Sequence, residues 1–186
     1  LGREFEGVRD HFAAHTQFKN IAVEIIDADQ RSLMKTWQST SNVGRSRNDI
    51  ASRALASGQS ATGITLSDTG VVLSSAVPVT VSGRLLGVVV VNQGLRSVDR
   101  DMGMFGRGYM LVVDRSAAAE SAAAEKMLSN TSLSDGFVAA KDNWFRQETM
   151  ASLLGADLPQ IINHATYLNE HYVYFSAPVA RIDGEP

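Results

Sequence analysis

Two histidines, His11 and His15, stand four residues apart in a stretch with helical spacing, which is the spacing that can hold a metal ion from one helix face. No Glu follows His11 and no third ligand accompanies the pair, so a packed or surface histidine pair is the expected reading. His164 and His171 flank a polar segment and read as loop residues. The chain has no Gly-x-Ser-x-Gly elbow and no acid–His spacing of a nucleophilic triad. Its glycine-rich Gly103–Gly108 stretch lacks the Gly-x-Gly-x-x-Gly order of a dinucleotide fold. Asp27 and Asp29 form an acidic corner without a third carboxylate at calcium-loop spacing. These residues therefore predict no catalysis, no cofactor and no metal.

The residues that could bind rather than react lie closer together. Arg45 and Arg47 immediately precede a short helical signal. Arginine presents a planar fork suited to a carboxylate, and a helix N-terminus adds N–H groups and positive potential. Trp37 follows a strand and could wall an apolar or zwitterionic ligand or sit in the core. Ser74 and Ser75 alternate along a strand, so one of them faces any ligand on that sheet. Asn92 and Gln93 could supply an amide. The expected site is Trp37, Arg45, Arg47, Ser75 and Gln93. Trp144, Phe145, Arg146, Tyr167, Tyr172 and Tyr174 form a second aromatic group, expected to be core.

Positioning these residues requires a mixed architecture. Phe5, Val8, Phe12 and His15 recur at helical steps. Ile21–Ile26 and Ser32–Gln38 read as strands joined by an Asp-rich turn. Asn48 or Asp49 can cap a helix over Ile50–Ala56 that stops at Gly58. Three strand signals follow, Ala61–Leu66, Val71–Val79 and Leu85–Gln93, the last nearly continuously apolar. Arg96–Phe105 is a connector or short helix, Tyr109–Asp114 a strand, Ser116–Met127 helical by propensity, Asp142–Leu154 helical, and His171–Val179 a strand. Ser75–Val79 followed by Ser82-Gly83 is echoed by Ser176–Val179 followed by Asp183-Gly184. That echo predicts two related modules, the second without its returning strand.

The chain has 186 residues, no cysteine, 44% hydrophobic content, and 17 basic against 20 acidic side chains. It is long enough for one domain or two small ones and needs no disulfides. A net charge of −3 argues against a nucleic-acid partner, which calls for a clustered basic excess. The longest apolar run, Leu85–Val91, is far short of the roughly 20 residues of a bilayer span. Leu1 and the abrupt Arg181–Pro186 end read as cuts in a longer chain.

Ile21–Asp27, Val43–Arg47 leading into Asp49-Ile50, and Val71–Val79 with its return Gly83–Val90 resemble the double Cache family of PAS-like sensor domains. Tyr109–Asp114 and Tyr172–Val179 are similar to that family's later strands. The resemblance implies an α+β fold with an N-terminal helix at 1–19, which would serve as a stalk or dimer helix. A first, ligand-binding Cache module at 20–97 and a connector at 98–107 would follow. A second, incomplete module with an antiparallel sheet would occupy 108–186. It also implies the extracytoplasmic, periplasmic part of a membrane-anchored bacterial receptor, such as a chemotaxis transducer, histidine kinase or diguanylate cyclase. Its ligand would be a small organic acid or amino acid. The Phe5, Val8, Phe12 stripe suits a helix pair in a homodimer, and nearly as well packing under the first module. The amine-sensing Tyr…Arg-x-Trp-Tyr pattern is absent, and the residues before Pro78 carry no base of the kind that citrate sensors use. An interaction module that senses a partner protein without a small ligand is the rival expectation.

Overall fold

The computed structural model describes residues 21–37, 44–67, 70–118, 131–141, 145–164, 166–168 and 173–176, with Gly7, Asp10, His11, Ala13, Ala14, His15 and Leu128. Two compact units divide the chain, Leu1–Ser67 with Val72–Gly94, and Asp68–Val71 with Leu95–Pro186. The fold is α+β with antiparallel sheets, as expected.

The first unit is built on five strands, β1 (Ile21–Asp27), β2 (Ser32–Lys35), β3 (Ala61–Ser67), β4 (Gly70–Val81) and β5 (Arg84–Gly94), in the order β2-β1-β5-β4-β3. The nearly all-apolar β5 is the central strand. Its Val88 and Val90, on one face of the sheet, are fully buried, whereas Val91 on the other face is exposed. The β1–β2 turn forms because Asp27 Oδ1 accepts from the backbone N–H groups of Asp29 and Arg31 at 2.9 and 2.8 Å. The β4–β5 hairpin turns at Ser82 and Gly83, whose φ values of 51° and 78° are the paired positive angles that a two-residue hairpin favours. Gly87 sits where β5 passes β1; a Cβ there would lie 2.1 Å from the Ile26 carbonyl oxygen.

One helix, α1 (Asp49–Ser57), covers part of this sheet. Asn48 caps it, its side chain accepting from the Ala51 N–H at 3.0 Å, and Gly58 ends it in the left-handed conformation. Ile50, Ala51 and Ala54 are its buried face. The described positions between Gly7 and His15 are helical; Phe5, Val8 and Phe12 lie outside the described residues.

The second unit contains α2 (Arg96–Met104), β6 (Val112–Asp114), the short α3 (Arg115–Ala118), β7 (Ser132–Ser134), β8 (Phe137–Ala139), α4 (Gln147–Leu154), α5 (Leu158–Asn163), β9 (Thr166–Leu168) and β10 (Val173–Phe175). Strands β6-β8-β7 form one antiparallel sheet and β10-β9 a separate hairpin. Strand β6 and helix α4 fall within their expected stretches, and Arg96–Phe105 resolves as a helix. The tight β7–β8 hairpin about Asp135-Gly136 and the helix α5, capped by Asp157 with Pro159 in its first turn, were not expected. Each spans only three to six residues, too few for a periodic pattern. Most of the alanine-rich 116–127 stretch and the chain after Ser176 lie outside the described residues, including the second copy of the Pro–Gly echo. Among the described residues no helix is long and apolar enough to cross a membrane.

Candidate functional site

Alternation along the strands puts Ser74 and Ala76 of β4, Val88, Val90 and Asn92 of β5, and Ala22, Glu24 and Ile26 of β1 on one face of the first sheet. Helix α1 packs on this face. Asn48 Nδ2 donates to Ser74 Oγ at 3.4 Å, and Ser74 Oγ donates in turn to Asn92 Oδ1. Ser74 and Asn92 are 0% and 2% exposed, so a connected polar row is buried in a sheet otherwise made of Val, Ile and Ala. Such a row is stable only because each member finds a hydrogen bond. Asn48 does two jobs at once, its oxygen capping the helix and its amide reaching the sheet.

Glu24 lies on the same face, opposite Val90 and diagonal to Asn92. Its side chain is 4% exposed. A carboxylate in an apolar strand needs a cation nearby. Lys35, its cross-strand neighbour on β2, supplies one with Nζ 3.9 Å from Glu24 Oε1. The same ammonium stands 5.3 Å from the ring centroid of Trp37, within cation–π range. The indole Nε1 of Trp37 is buried, and among the described residues no acceptor reaches it.

The five residues expected from the sequence do not gather in one place. Trp37 joins the Glu24–Lys35 pair. Arg45 is exposed on the loop before α1, its guanidinium donating from Nε and Nη2 to Gln30 Oε1 at 3.3 and 3.1 Å. Arg47 is exposed as well. Ser75 shares a 3.0 Å hydrogen bond with Thr62, on the sheet face away from α1. Gln93 pairs with Ile21 and Leu73 on that same outer face. On the face beneath α1 the strands carry Ser74 and Asn92, and the expected Ser75 and Gln93 lie on the opposite face. A one-residue step in a strand changes the face, and adjacent Ser-Ser and Asn-Gln pairs hide it. The buried Glu24–Lys35 pair was not among the expected features. The available signal was a lone carboxylate inside Ile21–Ile26, with a lysine where the returning strand would bring it opposite.

In the second unit the aromatic group behaves as core where it is described. Phe145 is buried and its ring meets that of Tyr109 at 6.1 Å and 55°. Tyr174 Oη donates to the Ser152 carbonyl at 3.2 Å. Arg146 Nε lies 3.8 Å from the buried Asp99, and its Nη2 donates to the Arg107 carbonyl. Burial raises the Tyr109 phenol above its ordinary value. Trp144 and Tyr172 lie outside the described residues, as do His171 and the side chain of Tyr167. The rings of His11 and His15 meet at 4.4 Å, and among the described residues no group of three His, Asp or Glu could hold a metal.

No protein-family model matches the chain, and no curated protein matches it. Among solved structures it is similar to the ligand-binding domain of the amino acid chemoreceptor PctC of Pseudomonas aeruginosa PAO1, in complex with GABA. The two share 20% identity with a TM-score of 0.37, and the likeness covers 62% of this chain and 63% of the other.

Proposed function

We propose that the chain is an extracytoplasmic ligand-binding sensor domain of a bacterial transmembrane receptor, of the chemotaxis-transducer kind. Its first unit binds a small polar, carboxylate-bearing molecule. The observation that carries this reading is the buried polar row Asn48–Ser74–Asn92 beneath α1, with Glu24 on the same face. A sheet that served only as a scaffold has no use for a charge, an amide and a hydroxyl on its best-buried side, since apolar side chains of like volume would pack there at no desolvation cost. No bond is made or broken in this reading. The ligand favours one arrangement of α1 and the strands beneath it, and its difference in affinity sets how far the population moves. Membrane helices flanking the domain would carry the shift onward, and a homodimer through the N-terminal helix would pair two such units. Arg45 and Arg47 are the carboxylate partners, reached from the loop that leads into α1, and Trp37 is the apolar wall.

A thermal-shift screen of organic and amino acids tests the reading. A hit should stabilise the wild type, and Ser74→Ala with Asn92→Ala should abolish its effect. A carboxylate whose effect survives Arg45→Ala and Arg47→Ala together removes those two roles.

One observation favours a second reading, an interaction module that senses a partner protein. The outer face of the same sheet exposes Leu73, Val77, Val79 and Val91, with Val81 and Leu86 near the β4–β5 turn. Contiguous exposed apolar surface often marks a docking face. Charge substitutions at Val77 and Val79 that abolish receptor output, while leaving small-ligand binding intact, would favour it.

A further inference from the structure

We infer that the turn ending α2 is a membrane-contacting prong: Met104 and Phe105 enter the interface of an anionic lipid bilayer, and Arg96 and Arg107 meet its phosphate groups. This goes beyond the ligand reading above and rests only on its membrane-anchored setting.

Met104 and Phe105 are 73% and 74% exposed, the highest values of any large hydrophobic among the described residues. The backbone fixes them there. Arg107 N–H donates to the Met102 carbonyl at 3.1 Å and Gly106 N–H to the Gly103 carbonyl at 3.0 Å, with Gly106 at φ 68°. These are the two bonds and the left-handed glycine of a Schellman helix end. Arg146 holds the turn from its packed side. Its Nη2 donates to the Arg107 carbonyl, and its guanidinium lies against Gly103, 3.6–3.8 Å from where a Cβ would stand. The turn is therefore locked, yet it points two large apolar side chains at water.

The charges around it suit a lipid surface. Arg96, Arg100 and Met104 follow one another at four-residue steps, so they share a face of α2, and all three are exposed. Both carboxylates of α2 are engaged: Asp99 is buried beside Arg146, and Asp101 pairs with Arg100 at 3.0 Å. Arg96 and Arg107 are exposed and have no ion-pair partner among the described residues. Positive charge thus flanks the apolar tip, although the chain carries −3 overall. A two-fold contact between prongs of two copies would set these arginines against each other. A protein partner would need a pocket shaped to the protruding tip. A bilayer interface needs no such pocket, since it takes apolar side chains at acyl-chain depth and keeps arginines at its phosphates. Two apolar side chains and two arginines give weak, reversible binding, which is enough where membrane helices already tether the domain.

The test sediments the whole chain with vesicles of equal parts phosphatidylglycerol and phosphatidylcholine, beside vesicles of phosphatidylcholine alone. The chain should bind the anionic vesicles about tenfold more tightly than the neutral ones and lose binding as salt rises. Met104→Ser with Phe105→Ser should weaken binding about tenfold or more at an unchanged melting temperature, because both side chains are exposed. Arg96→Gln with Arg107→Gln should weaken it and flatten the salt dependence. The chain has no cysteine, so an environment-sensitive dye on Met104→Cys labels the prong alone, and its emission should shift to the blue on anionic vesicles. Absence of wild-type binding to anionic vesicles, equal binding by the double serine variant, or an unresponsive dye overturns the prong. Receptor output lost in that variant, with no vesicle binding by the wild type, assigns the turn to a protein partner instead. The two readings fail separately. Vesicle binding with a silent thermal-shift screen keeps the prong and removes the ligand, whereas acid stabilisation without vesicle binding removes only the prong.

Discussion

Asn48 shows how one side chain can join local and tertiary structure. Its Oδ1 caps α1 and its Nδ2 reaches Ser74, so the two functions separate by substitution. Asn48→Asp keeps the capping oxygen and loses the donor. Asn48→Ala loses both, and should destabilise the first unit by about 2 kcal/mol, roughly half from the cap and half from the buried hydrogen bond. Urea denaturation of the three proteins checks the order wild type, Asp, Ala. Tyr109 gives a pH prediction in the second unit. Burial raises its folded-state pKa, so the folded chain holds that proton more firmly than the unfolded one. The stabilisation is complete below the unfolded value, near 10, and is lost as pH rises through the folded value. Thermal stability should fall above about pH 10, and Tyr109→Phe should flatten that fall.

Among the elements, the central strand β5 is the one whose failure would disperse the buried polar row. It holds Asn92 between β4 and β1, and its register with β1 depends on the close pass at Gly87. A Cβ at Gly87 meets backbone, not a flexible side chain, so β1 has to shift. Gly87→Ala should cost about 1–3 kcal/mol and lower ligand affinity along with stability. Hydrogen exchange should show lost protection in β1 and β5 before β3. Helix α1 was legible in the sequence because its signals are local, a capping Asn, a following Asp and a terminal Gly. The β7–β8 hairpin and α5 were not, because they are shorter than the period that would reveal them.

For the molecule as a whole, a ligand that binds only the folded first unit stabilises by mass action. At one hundred times its dissociation constant the gain is about 2.7 kcal/mol, and the melting temperature should rise by about 5–10 °C in differential scanning calorimetry. A rise confined to one of two transitions would assign the ligand to one of the two units. The apolar outer face of the first sheet belongs to this scale too, since the exposure of Leu73, Val77 and Val79 is a property of the folded surface that no single strand announces.

The α+β class, the central apolar strand, the two hairpin turns of the first sheet and the capped helix all follow from the order of residues along the chain. Each depends on near neighbours: Asp27 on the N–H groups beside it, Ser82-Gly83 on its own dihedral angles, Asn48 on the next turn of helix. The facing of the polar residues does not. Ser74 against Ser75, and Asn92 against Gln93, are equal choices until a helix lands on one side of the sheet. The meeting of Glu24 with Lys35 and Trp37 waits on the pairing register of β1 and β2. Contacts between residues far apart in sequence decided where this protein put its buried charge, because only a folded sheet has an inside.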